Sequence, residues 1–206
     1  MINPTSHHKN MNSQDWSRCV LTAFDLAGIK NLAASGKASS VMMNLHSHAV
    51  GKINHGLELH SHGYVWNDSV LLLSYMTEPN WSKRNFFAEL DGFRTSLQNA
   101  CGMPVYGISV QGRAFPQDTL ASAIFNGQIA LQPRAIVLKT SSWAMANCFL
   151  IEKALGNKHR ADWYIDSRIT VGANLPTPFA SEEVDLLPRD ESRIVHMFKG
   201  SIYPIE

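Results

Sequence analysis

The order of apolar and polar positions divides this chain into alternating helical and extended segments. Between residues 15 and 33, Trp16, Val20, Phe24 and Ala27 recur at intervals of three or four. That spacing predicts a helix, with Ser13 or Asp15 placed to cap its start. Residues 33–40 are small and polar and read as a loop. Three strands are predicted over residues 41–76, at residues 41–44, 57–66 and 70–76. Asn54-His55-Gly56 and Asn67-Asp68 supply the turns between them. The third strand is the most apolar, which suits a buried, central position.

Downstream, Phe86, Leu90, Phe93 and Leu97 lie on one face of a helix predicted over residues 81–99, and Gly102-Met103-Pro104 ends it. A strand follows at 105–110, then a helix at 118–130 with Asp118 or Thr119 as its cap. A strand at 135–138 leads into a helix at 141–155, which Gly156-Asn157 terminates. Residues 163–171 read as a strand pair, Pro176-Thr177-Pro178 as a break, and residues 194–198 as a late strand. Helices alternating with both hairpin and crossover connections predict an α+β fold. Its central sheet is mixed and largely antiparallel, with an N-terminal meander (about 41–76), and helices flank it. The polar residues 1–14 are expected to form an arm ahead of a single domain spanning 15–206.

Composition narrows the class. With 206 residues, 45% hydrophobic and 17% charged, the chain reads as globular. A domain of this size buries roughly 70% of the surface of its unfolded form. The net charge of +1 argues against nucleic acid as a partner. The apolar runs are far shorter than the roughly 20 residues of a membrane helix, so no membrane is expected as a partner. Cys19, Cys101 and Cys148 are too few and too uneven for a disulfide framework, so reduced thiols and a cytoplasmic location are expected. Glycine-rich phosphate loops and a nucleophile elbow are absent.

Two sets of residues carry candidate chemistry. The first is histidine: five of the nine fall between positions 46 and 62. His60 and His62 share one face of a predicted strand, and His46 and His48 do the same. Four imidazoles so placed suit zinc or another divalent metal. His46-x-His48 followed by Glu58 also resembles the ligand order of a cupin. The second is cysteine. Cys148 falls near the start of the helix at 141–155, where free N–H groups and the helix dipole favour a thiolate. A nucleophile there needs a base and an orienter, and His60 and Glu78 lie on neighbouring predicted strands, with Asp68 as a rival orienter in the turn.

The stretches Val70-Leu-Leu-Leu-Ser-Tyr-Met-Thr-Glu78-Pro79-Asn80 and Ser141-Ser142 followed by Cys148-Phe149 resemble those of YopJ-like bacterial effectors, relatives of the Ulp-type cysteine proteases. The resemblance implies an acyl-transfer enzyme, or a thiol protease or other hydrolase, acting on a protein or peptide substrate. It assigns His60 as base, Glu78 as orienter and Cys148 as nucleophile. It also implies acetyl-CoA as acyl donor, an inositol phosphate activator, and a virulence effector exported into a host cell without a signal peptide. A second order resembles papain-like enzymes, with Cys19 as nucleophile, His48 as base and Asp68 behind it. Two other readings stay open beside the enzyme: a histidine-rich metal-binding β protein and a non-catalytic protein-binding module.

Overall fold

The computed structural model describes residues 17–55, 62–76, 81, 83–114, 143–155, 162–170, 179–185 and 194–201. Strand β1 (Ser17–Leu26) runs into a short helix α1 (Ile29–Ala34) and then α2 (Ala38–His55). The hairpin of β2 (His62–Trp66) and β3 (Ser69–Tyr75) follows, then α3 (Lys83–Cys101) and β4 (Val105–Ala114). Helix α4 (Trp143–Leu155), strand β5 (Asp162–Asp166), a single turn α5 (Ser167–Thr170) and strands β6 (Phe179–Asp185) and β7 (Ile194–Ser201) complete the described chain. The strands form one sheet in the order β2-β3-β1-β4-β5-β7-β6. Only the β4–β5 pair is parallel, so the sheet is mixed and largely antiparallel, flanked by helices, as the sequence predicts.

Strand β1 lies between β3 and β4 and is covered on both faces. Val20, Phe24 and Leu26 point to one face, where they pack with Phe86, Phe87, Phe93 and Leu97 of α3 and Leu45 of α2. Cys19 and Leu21 point to the other face, where they pack with Ala144, Cys148 and Ile151 of α4. This period-two division is the reason residues 17–26, within the helix expected over 15–33, form a strand instead, and only residues 29–33 of that stretch are helical, in α1. Val20 and Phe24 are four apart, which is close to one helical turn and is also two extended repeats. A central strand buried on both sides therefore imitates an amphipathic helix.

The opposite substitution occurs at residues 41–44, the first strand of the expected meander, which lie inside α2. Of the other two, the strand at 70–76 forms as β3 and the one at 57–66 as β2 over residues 62–66, with 57–61 outside the described residues, and Asn67-Asp68 makes the two-residue connection between Trp66 and Ser69. Asn67 takes the left-handed backbone (φ 51°) that this residue type tolerates. The helices predicted at 81–99 and 141–155 are α3 and α4, and the late strand is β7. The strand pair at 163–171 becomes β5 followed by α5. The arm at 1–14, the helix at 118–130, the strand at 135–138 and the break at 176–178 lie outside the described residues.

On the α2/α3 face, an aromatic cluster fixes the sheet to α3. Phe24 meets Phe93 at 6.0 Å and Trp163 at 5.8 Å, and Phe87 meets Trp163 at 5.9 Å. Such pairs add about 0.5–1.5 kcal/mol each beyond their burial. The Trp163 indole N–H donates to Ser109 Oγ, which also bonds Thr22 Oγ1 at 2.8 Å, so the buried polar atoms at this point are paired. Gly107 is required here: a Cβ on it would sit 2.7 Å from the Phe24 ring and 2.8 Å from Trp163. Gly107→Ala is expected to lower the urea midpoint by an amount equivalent to about 1–3 kcal/mol, the cost of overpacking rings that still have room to tilt. An unchanged midpoint would show that the cluster is loosely packed.

Candidate functional site

On the α4 side the described residues cover the sheet only in part. Helix α4 rests on β4 and β1. Beside it the tip of the β2–β3 hairpin stands clear, and a cleft of about 280 Å³ opens between them. Its floor is sheet surface, with Leu71 and Ile108 among the lining residues. Four polar side chains converge on it from four elements: Asp25 at the end of β1, Asp68 in the hairpin turn, Tyr106 on β4 and Glu152 on α4.

Each of these positions follows from local structure. Asp25 belongs to the same face as Cys19 and Leu21, but lies where α4 no longer covers the strand. The end of β1 is held on both sides: the Leu26 amide donates to the Asp68 carbonyl at 3.1 Å and the Ala27 amide to Pro104 at 2.9 Å. The hairpin is therefore bonded to the strand end that carries Asp25, and the two carboxyls are brought into one cleft. Ser69 Oγ donates to Asp25 Oδ1 at 3.0 Å, and the Tyr106 hydroxyl donates to Glu152 Oε1 at 2.9 Å. Tyr106 also hydrogen-bonds the Asp25 side chain. His46, on α2, is bonded through Nε2 to the Asn67 carbonyl at 2.6 Å and so braces the turn from outside.

Among the described residues the electrostatics are those of an acidic site without a counter-charge. None of the described residues lining the cleft is basic. Burial, and then the neighbouring Asp68 carboxyl, push Asp25 from its ordinary value up to about 6, against the hydrogen bonds from Tyr106 and Ser69. Burial and the adjacent carboxylates push the Tyr106 hydroxyl up as well, so it stays a donor. Because the native state holds the Asp25 proton more tightly than the unfolded chain, Asp25 costs stability as pH rises from about 4 through 6. Asp25→Asn is therefore expected to stabilise the fold at pH 7.5 by about 1–2 kcal/mol, allowing for partial exposure, with the gain vanishing near pH 4. Urea unfolding at the two pH values measures this, and a loss of stability at pH 7.5 would contradict the assignment.

The residues singled out from sequence are not brought together. Cys148 is 2% exposed and Cys19 fully buried, both in the core under α4. Burial pushes the Cys19 thiol up to about 12 and the Cys148 thiol up further, the opposite of what a nucleophile needs. All three free thiols are expected to react with iodoacetamide more slowly than a free cysteine at pH 7.5, with reaction following unfolding. One fast thiol in the folded protein would contradict the packing.

His48 lies on α2, on the other side of the sheet from Cys148, and its Nε2 is buried without a hydrogen-bond partner among the described residues. His46 and His48 were expected to share the face of a strand. On α2 two residues are 200° apart, so the pair diverges. His60 and Glu78 lie outside the described residues, as does Ser141-Ser142, and only the backbone of His62 is described, at the start of β2. Among the described residues, no group of three or more His, Cys, Asp or Glu side chains is placed to hold a metal ion. No described helix is long and apolar enough to cross a membrane.

Sequence reasoning placed Asp68 only as an orienter in the turn and passed over Asp25, Tyr106 and Glu152. The signal that finds Asp25 is a lone carboxylate closing an otherwise uncharged run, Cys19 to Leu26, once that run is read as a strand.

No protein-family model matches the sequence, and no curated protein matches it. Among solved structures, the fold is similar to the adenylyl cyclase CyaB from P. aeruginosa, with a TM-score of 0.53 and 9% identity over 89% of this chain and 93% of that one. A bacterial light-regulated adenylyl cyclase aligns with a TM-score of 0.48 and 8% identity, over 89% of this chain and 52% of that one. The expected likeness to YopJ-like effectors and Ulp-type proteases is thereby corrected, and cysteine-dependent acyl transfer, proteolysis and hydrolysis with it: the thiols are buried in a fold similar to that of an adenylyl cyclase.

Proposed function

We propose that this chain is a nucleotide-cyclase-like domain whose acidic cleft takes up a nucleoside triphosphate as its divalent-cation complex. The observation that carries the reading is the convergence of Asp25 and Asp68 in one cleft, on a fold similar to that of an adenylyl cyclase. Two carboxyls in one cleft, the Asp68 charge raising the proton affinity of Asp25, with no basic side chain among the described lining residues, favour a cation between them and an anionic ligand.

The donor set fits magnesium or manganese. Hard oxygen ligands suit these ions. Magnesium in particular is held by one or two carboxylates together with substrate phosphates and water, rather than by a complete protein cage. Asp25 and Asp68 would hold the cation, with Ser69 orienting the Asp25 carboxyl through its hydrogen bond. The cation would neutralise the phosphates and polarise the α-phosphorus toward attack by the 3′-hydroxyl. In the cyclisation such a site performs, the new bond joins O3′ to the α-phosphorus, the 3′-hydroxyl proton passes to solvent, and the bond to the β-phosphate breaks to release pyrophosphate. This mode of phosphate binding needs no glycine-rich loop, which reconciles it with the absence of one from the sequence.

A second reading is nucleotide binding without turnover. It is favoured by the lack of any basic side chain among the described lining residues, since phosphoryl transition states are commonly stabilised by Arg or Lys as well as by metal. Calorimetric titration with ATP and GTP, with and without Mg²⁺ or Mn²⁺, tests the binding. Chromatographic assay for the 3′,5′-cyclic product separates the two readings. Cation-dependent binding with cyclic product supports the first, and binding without product the second. Absence of cation-dependent binding would overturn both.

A further inference from the structure

The lining of the cleft is not wholly polar. Trp66 and Phe149 also line it, and they are among the most exposed large apolar side chains of the described chain, at 58% and 54%. Trp66 ends β2, immediately before the turn that carries Asp68. Phe149 precedes Glu152 by one helical turn on α4. The two rings therefore reach the cleft from different elements, one from the hairpin and one from the helix, and line it together with the carboxyls, Leu71 and Ile108. Flat apolar groups held open to solvent beside two carboxyls are costly in the free protein, because no described residue covers them.

A nucleotide has the matching division: a flat uncharged base at one end and phosphates that need a cation at the other. We infer that Trp66 and Phe149 form an aromatic rim that stacks the base of the bound nucleotide and so selects purines over pyrimidines. This rests on the cation–nucleotide reading of the cleft. The larger π face of a purine gains more from each stacked ring. The cavity of about 280 Å³ lies at the small end for ligand sites, so it encloses part of such a ligand and leaves the rest at the rim.

Trp66 sits on an edge strand and is exposed, so Trp66→Leu keeps an apolar side chain and is expected to leave folding intact. The test is calorimetric titration of wild type, Trp66→Leu and Trp66→Phe with three probes, each with Mg²⁺: ATP, UTP and inorganic tripolyphosphate. Wild type should bind ATP more tightly than UTP. Trp66→Leu should weaken ATP by about 5- to 100-fold, the range for one stacked base, while leaving tripolyphosphate unchanged. Trp66→Phe should recover most of the loss. If tripolyphosphate binds as tightly as ATP, or if Trp66→Leu weakens both alike or neither, the rim plays no part in recognition and the inference is overturned, with the cation site still standing. If no probe binds with Mg²⁺, the cation–nucleotide reading fails as well.

Discussion

Gly112→Val is expected to destabilise this domain by more than about 3 kcal/mol. Gly112 faces α4 from β4, opposite Cys19 on β1. A Cβ added there would lie 2.6 Å from both the backbone nitrogen and the Cα of Ala144, and 2.7 Å from its Cβ. Real Cβ atoms do not approach so closely, and two of the three obstructing atoms are main chain. The only relief is to lift the helix from the sheet. Overpacking that side chains absorb costs about 1–3 kcal/mol, and displacing a helix costs more. Ala144→Gly is therefore not expected to rescue Gly112→Val, because it removes one obstructing atom and leaves the other two. Since Phe149 and Glu152 ride on the same helix, the wall of the cleft should move with it. Denaturant midpoints of the single and double variants decide this, and a full rescue by Ala144→Gly would show that α4 is not seated as described.

The second large effect concerns Asp25 and Asp68. Asp25→Asn or Asp68→Asn is expected to lower affinity for Mg·ATP by at least about 100-fold, since each removes one of two charged ligands from a cation that the protein holds by few bonds. Asp25→Asn should do so while raising stability at neutral pH. The two results together discriminate. A residue present for packing loses stability when replaced, whereas one kept for binding in a costly position loses function and gains stability. Unchanged affinity in both variants would remove the acidic pair from the site.

The fold class was legible from pattern because most elements show one period clearly. Helix α3 carries Phe86, Leu90, Phe93 and Leu97 on one side and polar residues on the other, and β3 is a short apolar run beside turn residues. The two failures have one cause. Segments whose apolar residues are spaced by four satisfy both periods, and only tertiary burial decides between them. For residues 17–26 the decision was burial on two faces by α3 and α4, which no local window contains. For residues 41–44 it was their place in the long α2, which packs on α3 and β2.

The site was less legible, because its residues are far apart in sequence and ordinary in type. Asp25, Asp68, Tyr106 and Glu152 belong to no spaced motif, and they meet only because β1 is central and the hairpin folds back on its end. The histidines and cysteines stood out by type and spacing instead. Cys148 was read as near the start of its helix, but it lies past the first turn of Trp143–Leu155 and on the side that faces the core, so burial outweighs the dipole.

Paramagnetic broadening by Mn²⁺ tests the central claim most directly. Substoichiometric Mn²⁺ is added with ATP to the ¹⁵N-labelled chain and the loss of each amide signal is followed. The account predicts that the amides of Asp25, Leu26, Asp68 and Ser69 vanish first, with those around Glu152 next and the α2/α3 face unaffected. Broadening centred on the histidine-rich stretch from His46 to His62, or spread evenly over the chain, would contradict it.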